Sequence, residues 1–131
     1  TEACLLFATL AIRHATFDTG RCAQEAERGY LNTTDLADLL VAAGVPFRDA
    51  HGVVGAAVNR AVELGVELQD LPEAEQRRLL PQLRVDLKQA LSARTVLARR
   101  DVVGGTAPTR VHDEVASWRR TLQQWQEGAS R

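Results

Sequence analysis

Two aspartates are the side chains in this sequence whose spacing best suits acid–base chemistry. Asp35 and Asp38 are three residues apart, which places them on one turn if the segment is helical. Two carboxylates held this close could act as general acid and general base. The simpler interpretation, which we favour, is that Asp35 caps the helix and Asp38 faces solvent.

The histidines, cysteines and serines form no recognisable catalytic or metal-binding pattern. His14, His51 and His112 are scattered, and none has a second ligand at helical spacing, which argues against zinc. His51 follows Arg48 near a helix start and could be functional, although a surface or interface histidine is the favoured interpretation. The two cysteines lack a C-x-x-C spacing; a disulfide stays open, but reduced thiols of a cytosolic protein are favoured. No serine lies in a nucleophile-elbow pattern. We therefore expect no catalytic, cofactor-binding or metal-ligating residue.

The stretch VGGTAP, residues 103–108, resembles a phosphate-binding loop only superficially. Glycines before a helix N-terminus can bind anions, but the P-loop lysine and a preceding strand are both missing. The favoured interpretation is a helix start, in which Gly104 and Gly105 form the turn. Thr106 would then be the N-cap, and Pro108 would lie in the first turn.

Length and charge indicate one ordinary domain. The chain has 131 residues and a formal net charge of −1, which gives no general attraction to nucleic acid or to acidic membranes. Residues 34–58 have the outline of a helix-turn-helix. However, the second helix would begin with Arg48, Asp49 and His51 and would also carry Glu63. This weakly charged, mixed-sign set is unsuited to phosphate binding.

Apolar residues recur three and four positions apart, which predicts an all-α fold of short helices. Gly52 and Gly55 lie inside one predicted helix, and each costs about 1 kcal/mol relative to alanine. Their presence predicts that a neighbouring helix approaches closely. Helices are expected over residues 2–17, 21–28, from a cap at Thr33 or Thr34 to Gly44, from Pro46 to Gly65, over 70–81, 83–91 and 93–98, and from Pro108 onward.

Two segments are predicted to need a partner. Residues 4–12, CLLFATLAI, carry no charge but are too short to span a bilayer. A helix that is apolar nearly all round is normally buried, so other subunits or a missing part of the chain should cover it. The last helix carries an apolar seam with alternating spacings of four and three. The interface candidates are Leu5, Leu6, Leu10, Trp118 and Trp125.

Residues 33–71 and 104–108 together resemble the carboxy-terminal region of argininosuccinate lyase, within the fumarase/aspartase superfamily. The shared motifs are T-D-L-A-D at 34–38, G-V-P-F-R-x-A-H at 44–51, V-G-x-A-V at 54–58 and G-G-T-A-P at 104–108. The sequence departs from the family at Val103 and at Asn32–Thr33. The residues that carry the resemblance are Thr34, Asp35, Asp38, Pro46, Arg48, His51, Gly55, Gly104, Gly105 and Thr106.

The resemblance implies a fold, an activity and a location. Members of that family are helical homotetramers with a long central bundle, and they cleave argininosuccinate to arginine and fumarate by β-elimination in shared active sites. Residues 1–19 would be the end of a bundle helix, and residues 20–131 the small multi-helix carboxy-terminal domain. The expected location is the cytoplasm, without membrane, cofactor or metal.

The family's catalytic residues are missing from the sequence. The serine loop S-S-x-M-P-x-K-x-N and the active-site histidine segment have no counterpart here. The chain alone is therefore expected to be structural and to support oligomerisation. Its partners would be further copies or the remainder of a lyase chain. The alternative is a free-standing helical interaction or scaffold module; a regulatory helix-turn-helix protein is a weaker hypothesis.

Overall fold

The computed structural model of the protein describes residues 1–129. Within them the chain forms α-helices and one short 3₁₀ helix but no strand, so the predicted all-α class is confirmed. The tail beyond Ala129 lies outside the described residues. The helices are α1 Glu2–His14, α2 Thr19–Glu25, α3 Thr33–Ala42, α4 Phe47–Leu64, the 3₁₀ helix Leu68–Asp70, α5 Glu73–Leu79, α6 Leu87–Ala90, α7 Ala93–Arg99 and α8 Pro108–Ala129.

The packing of α3 against α4 is the centre of the fold. Leu36 and Leu40, one turn apart on α3, are both 0% exposed. They belong to the same buried cluster as Ala50, Ala57 and Ala61, which recur at helical spacing on α4. Small side chains on α4 leave room for the leucines of α3. The predicted ends of both helices, before Gly44 and before Gly65, are confirmed.

The segments after α4 complete the core. Leucines within or directly after the 3₁₀ helix, α5 and α6 belong to the same buried cluster. These segments are too short to be stable alone, so their packing on α3 and α4 supplies their stability. The contributing residues are Leu68, Leu71, Leu80, Leu87 and Leu91.

Hydrogen-bonded ion pairs link α5 to α4. Arg60 of α4 donates hydrogen bonds of 2.9 Å to Glu63 and of 2.9 Å to Glu75 of α5. Arg78 donates a second set to Glu75. Hydrogen bonds from Arg78 and Arg60 hold the pKa of Glu75 below its ordinary value. The Glu75 carboxylate therefore stays ionised over a wider acid range, and its attraction to α4 is lost only as the pH falls through that lowered pKa.

Several helix boundaries differ from those predicted. In α2 and α6, aspartate side chains cap the helix and set its first residue. A turn was expected at Thr19–Gly20, but α2 begins at Thr19, where the carboxylate of Asp18 accepts the N–H of Arg21 at 2.9 Å. The helix expected over 83–91 is reduced to α6. Its first N–H groups donate to Asp86, at 2.9 Å from Lys88 and 3.3 Å from Gln89.

Two further expectations about helix geometry are not met within the described chain. No neighbouring helix of the described chain approaches Gly52 or Gly55, since a Cβ added at either position would meet nothing within 4 Å. Neither Thr33 nor Thr34 caps α3, because both lie inside its first turn. Asn32 occupies the N-cap position, and its side chain bonds elsewhere.

The first and last helices lie outside the core. No residue of α1 or of α8 is buried, and the interface candidates Leu5, Leu6 and Leu10 are all exposed. Trp118 and Trp125 are 56% and 63% exposed, and their rings meet edge to face with centroids 6.4 Å apart. Among the described helices, none combines the length and the apolar character required to cross a bilayer.

Candidate functional surface

The two aspartates of the T-D-L-A-D motif occupy different environments. Asp35 is 8% exposed, and its Oδ2 lies 3.4 Å from Nη2 of Arg100. The prediction that Asp35 caps the helix is therefore wrong. Because α3 begins at Thr33, Asp35 falls in the first turn beside Leu36, on the side that faces the core. A carboxylate in this turn is also favoured by the helix dipole.

Asp38 faces solvent, as expected from the sequence. Within residues 1–129 its carboxylate has no hydrogen bond and no ion pair. Since one carboxylate is buried against an arginine and the other is open to water, the two do not form a shared proton-transfer site. The acid–base interpretation of this pair has no support in the geometry.

Replacing Asp35 with alanine should destabilise the fold, whereas Asp38→Ala should not. We expect Asp35→Ala to lower the free energy of unfolding by about 1 kcal/mol. The loss is small because Arg100 is half exposed, so water screens its attraction to Asp35. Asp38→Ala, on the same helix, should stay within about 0.5 kcal/mol of the unmodified protein. Urea unfolding followed by circular dichroism measures both, and equal losses would contradict the assigned role of the Arg100 pair.

The VGGTAP stretch forms a tight turn that joins α7 to α8. Gly104 has a φ of +77°, and the N–H of Gly105 donates to the carbonyl of Val102 at 2.8 Å. The N–H of Ala107 donates to the carbonyl of Arg100 at 3.3 Å. Because these amides are already bonded within the turn, they do not form an anion cradle.

Arg100 connects this turn to the start of α3. Its carbonyl accepts from the turn while its guanidinium pairs with Asp35. The prediction that Thr106 caps the last helix is wrong, since Ala107 immediately precedes Pro108 and its carbonyl accepts the N–H of Val111 at 3.0 Å. Thr106 itself is exposed.

The remaining motif residues project away from the core. Arg48 and His51 are exposed in the first turns of α4, and within the described part of the chain neither side chain has a hydrogen bond or an ion pair. Phe47, His51 and Gly55 recur every four residues, so they lie along one strip of α4, and all three are exposed. We call these residues, with Arg48 and the nearby Gly52, the motif face. Thr34, Asp38 and Pro46 are likewise exposed.

A polar network beneath α3 was not anticipated from the sequence. The Asn32 amide donates to Oε1 of Gln69 at 3.0 Å and to the carbonyl of Leu91 at 3.1 Å. The Gln69 amide in turn donates to the carbonyl of Glu27 at 2.8 Å, and Glu27 accepts the N–H of Ala93 at 2.9 Å. The only sequence signal was the departure from the family pattern at Asn32.

No convergent catalytic or metal-binding group occurs within residues 1–129. Side chains of His, Cys, Asp and Glu form no group of three that could hold a metal ion. A surface cavity of about 650 Å³ lies at α5 and α6, away from every motif residue. Its polar lining consists of Glu73, Gln76, Arg77, Arg84 and Asp86. Both carboxylates already have partners, since Glu73 pairs with Arg77 and Asp86 caps α6.

Comparison with known families identifies the central part of the chain. Residues 30–98 match the family model described as argininosuccinate lyase C-terminal. The matched segment begins just before α3 and ends within α7, so it contains the whole buried cluster and the motif face. The helices α1, α2 and α8 lie outside it.

Proposed function

The chain belongs to the argininosuccinate lyase C-terminal family, and from that premise we propose that it serves as the carboxy-terminal structural domain of a lyase of this type. The whole enzyme would cleave argininosuccinate to arginine and fumarate, in arginine biosynthesis and in the cytoplasm. In that enzyme the domain would close one end of the helical bundle and pack beside the active-site region.

The motif face is the observation that carries this proposal. Arg48 and His51 belong to the family motif, yet neither stabilises the domain through any polar contact within the described residues. Phe47 is exposed beside them, and the space next to Gly52 and Gly55 is open, so the surface is partly apolar and accessible. Residues with no role inside the domain are suited to contact the remainder of the lyase.

The chain alone is proposed to lack catalytic activity. Elimination requires a base, an acid and carboxylate-binding groups that are held together around the substrate. The family's serine loop has no counterpart in the sequence. Within residues 1–129, the motif residues Arg48 and His51 are exposed and have no hydrogen bond or ion pair to another side chain. No cofactor or metal takes part in this proposed role.

The first helix supports a role in assembly. Every residue of α1 is exposed, including Leu6 and Phe7, although the helix is largely apolar. A surface of this kind is stabilised when a neighbouring helix covers it. We therefore propose that α1 joins a helical bundle, formed by further copies or by the remainder of a lyase chain.

The test is fumarate release from argininosuccinate by the purified 131-residue chain, measured beside an intact family lyase at equal concentration. We expect no release above the uncatalysed rate from the chain and steady release from the lyase. Measurable turnover that survives rigorous purification would contradict the proposed structural role.

A second candidate function is a free-standing interaction or scaffold module. The exposed apolar surfaces of α1 and α8 favour it, because both helices present large side chains to solvent. Under this alternative, the Arg48→Ala and His51→Ala variants would leave every association of the chain unchanged. Under the lyase proposal, the same variants would weaken its binding to a lyase from which the carboxy-terminal region has been deleted.

A further inference from the structure

The last helix, α8, carries an apolar seam that nothing in the described chain covers. Its five members recur at spacings of four, three, four and three, and each is at least 44% exposed. Its first four members, together with Gly104 and Gly105 of the preceding turn, line an apolar groove of about 410 Å³. The seam consists of Val111, Val115, Trp118, Leu122 and Trp125.

The spacing assigns each side chain a position in a coiled-coil heptad. Val115 and Leu122 take the a positions, while Val111, Trp118 and Trp125 take the d positions. The edge-to-face contact of the two tryptophans orders consecutive d positions along the seam.

Two opposite charges flank this seam at the positions that select a partner. Glu114 is a g residue and Arg119 is an e residue, and both line the groove. Within residues 1–129 neither side chain forms an ion pair, although ion pairs are formed by other residues of the same chain. Residues at e and g set the partner and the orientation of a coiled coil.

The order of these charges matches a second copy of the same helix in parallel orientation. In a parallel pair, each g residue faces the e residue five positions further along the partner, and Arg119 is five positions after Glu114. Two symmetric Glu–Arg pairs then form. In an antiparallel pair, e faces e and g faces g, so Glu114 and Arg119 cannot meet. We propose that α8 pairs in parallel register with α8 of a second copy of this chain.

The pairing is expected to be reversible. The seam from Val111 to Trp125 covers two heptads, about 21 Å of helix at 1.5 Å per residue. Two heptads bury little area, so the dimer should dissociate on dilution. This inference does not rest on the proposed lyase role, because α8 lies outside the matched residues 30–98.

Charge reversal tests the partner and the orientation. Sedimentation equilibrium of the full chain should give a concentration-dependent dimer. Glu114→Arg and Arg119→Glu should each weaken it about fivefold or more, because each variant turns two attractive pairs into repulsive ones. The double variant should restore the original dissociation constant. Asp113→Arg is the matched control, since it makes the same charge change at the outward f position and should have no effect.

A cysteine on the seam tests the register independently. In a background carrying Cys4→Ser and Cys22→Ser, the Leu122→Cys variant places two thiols opposite each other in a parallel dimer, and mild oxidation should give a covalent dimer. A chain that is monomeric at every concentration, a dimer insensitive to both single charge reversals, or a dimer without the Leu122→Cys cross-link would overturn the proposal. Circular dichroism confirms that each variant retains its helix.

Discussion

Gly105→Ala is expected to lower the free energy of unfolding by about 3 kcal/mol or more, since it places a methyl group inside the backbone of a tight turn. A Cβ at this position would lie 2.0 Å from the carbonyl oxygen of Arg100 and 2.9 Å from that of Val102. Both neighbours are backbone atoms, so neither can move without opening the turn. Opening it would separate the Arg100 guanidinium from Asp35 and misplace the start of α8.

Gly104→Ala is the matched control for this prediction. Gly104 has a φ of +77° but would meet nothing within 4 Å, so only the backbone preference is lost. We expect a cost of about 1 kcal/mol, roughly that of an L-residue in the left-handed region. Urea unfolding of both variants gives the comparison. Equal losses of stability in the two variants would contradict the close contact between residue 105 and the carbonyl oxygen of Arg100.

Leu40→Ala is expected to lower the free energy of unfolding by about 2–5 kcal/mol, the usual range for truncation of a fully buried leucine. Leu40 is 0% exposed and lies between α3 and α4, where the core is assembled. The cavity would lie against the alanine face of α4, and alanines are too small to fill it.

Val41→Ala, at the next residue of the same helix, controls for helix propensity. Val41 is 40% exposed and lies outside the buried cluster. The substitution should lower the free energy of unfolding by less than about 1 kcal/mol, because the higher helix propensity of alanine offsets the loss of the partly buried valine side chain. A Val41→Ala variant as unstable as Leu40→Ala would mean that the core lies elsewhere.

The central helix pair could be predicted from the sequence because its signals are local. Leu36 and Leu40 are one turn apart, and the positions of Gly44, Pro46 and Gly65 mark helix boundaries without reference to any distant residue. The spacing of the seam in α8 was equally plain. The all-α class and these helices follow from periodicity and from residue types that end helices.

The features that were missed depend on partners far along the chain. Asp35 is buried because Arg100, 65 residues away, pairs with it. Asn32 bonds to Gln69 and Leu91 across 37 and 59 residues, and no local pattern indicates these pairings. The sequence correctly predicted that Gly105 lies in a turn, but it did not predict the close approach of the Arg100 carbonyl.

The sequence predicted which motif residues belong to the candidate surface, but it did not predict which of them face solvent together. The sequence grouped Asp35 with Asp38 and Arg48 with His51, whereas the fold turns Asp35 inward and leaves Asp38, Arg48 and His51 in solvent. Whether a residue on an amphipathic helix faces the core or a partner depends on how the helix is rotated. That rotation is set by the packing of α3 against α4.

Domain exchange is the most direct test of the central claim. The carboxy-terminal region of an argininosuccinate lyase would be replaced by residues 20–131 of this chain, and fumarate release would be measured. We predict that the exchanged enzyme is active. We also predict that Arg48→Ala combined with His51→Ala reduces its activity while leaving the unfolding of the isolated chain unchanged. An exchanged enzyme that assembles correctly yet releases no fumarate would contradict the assignment of this chain as a lyase domain.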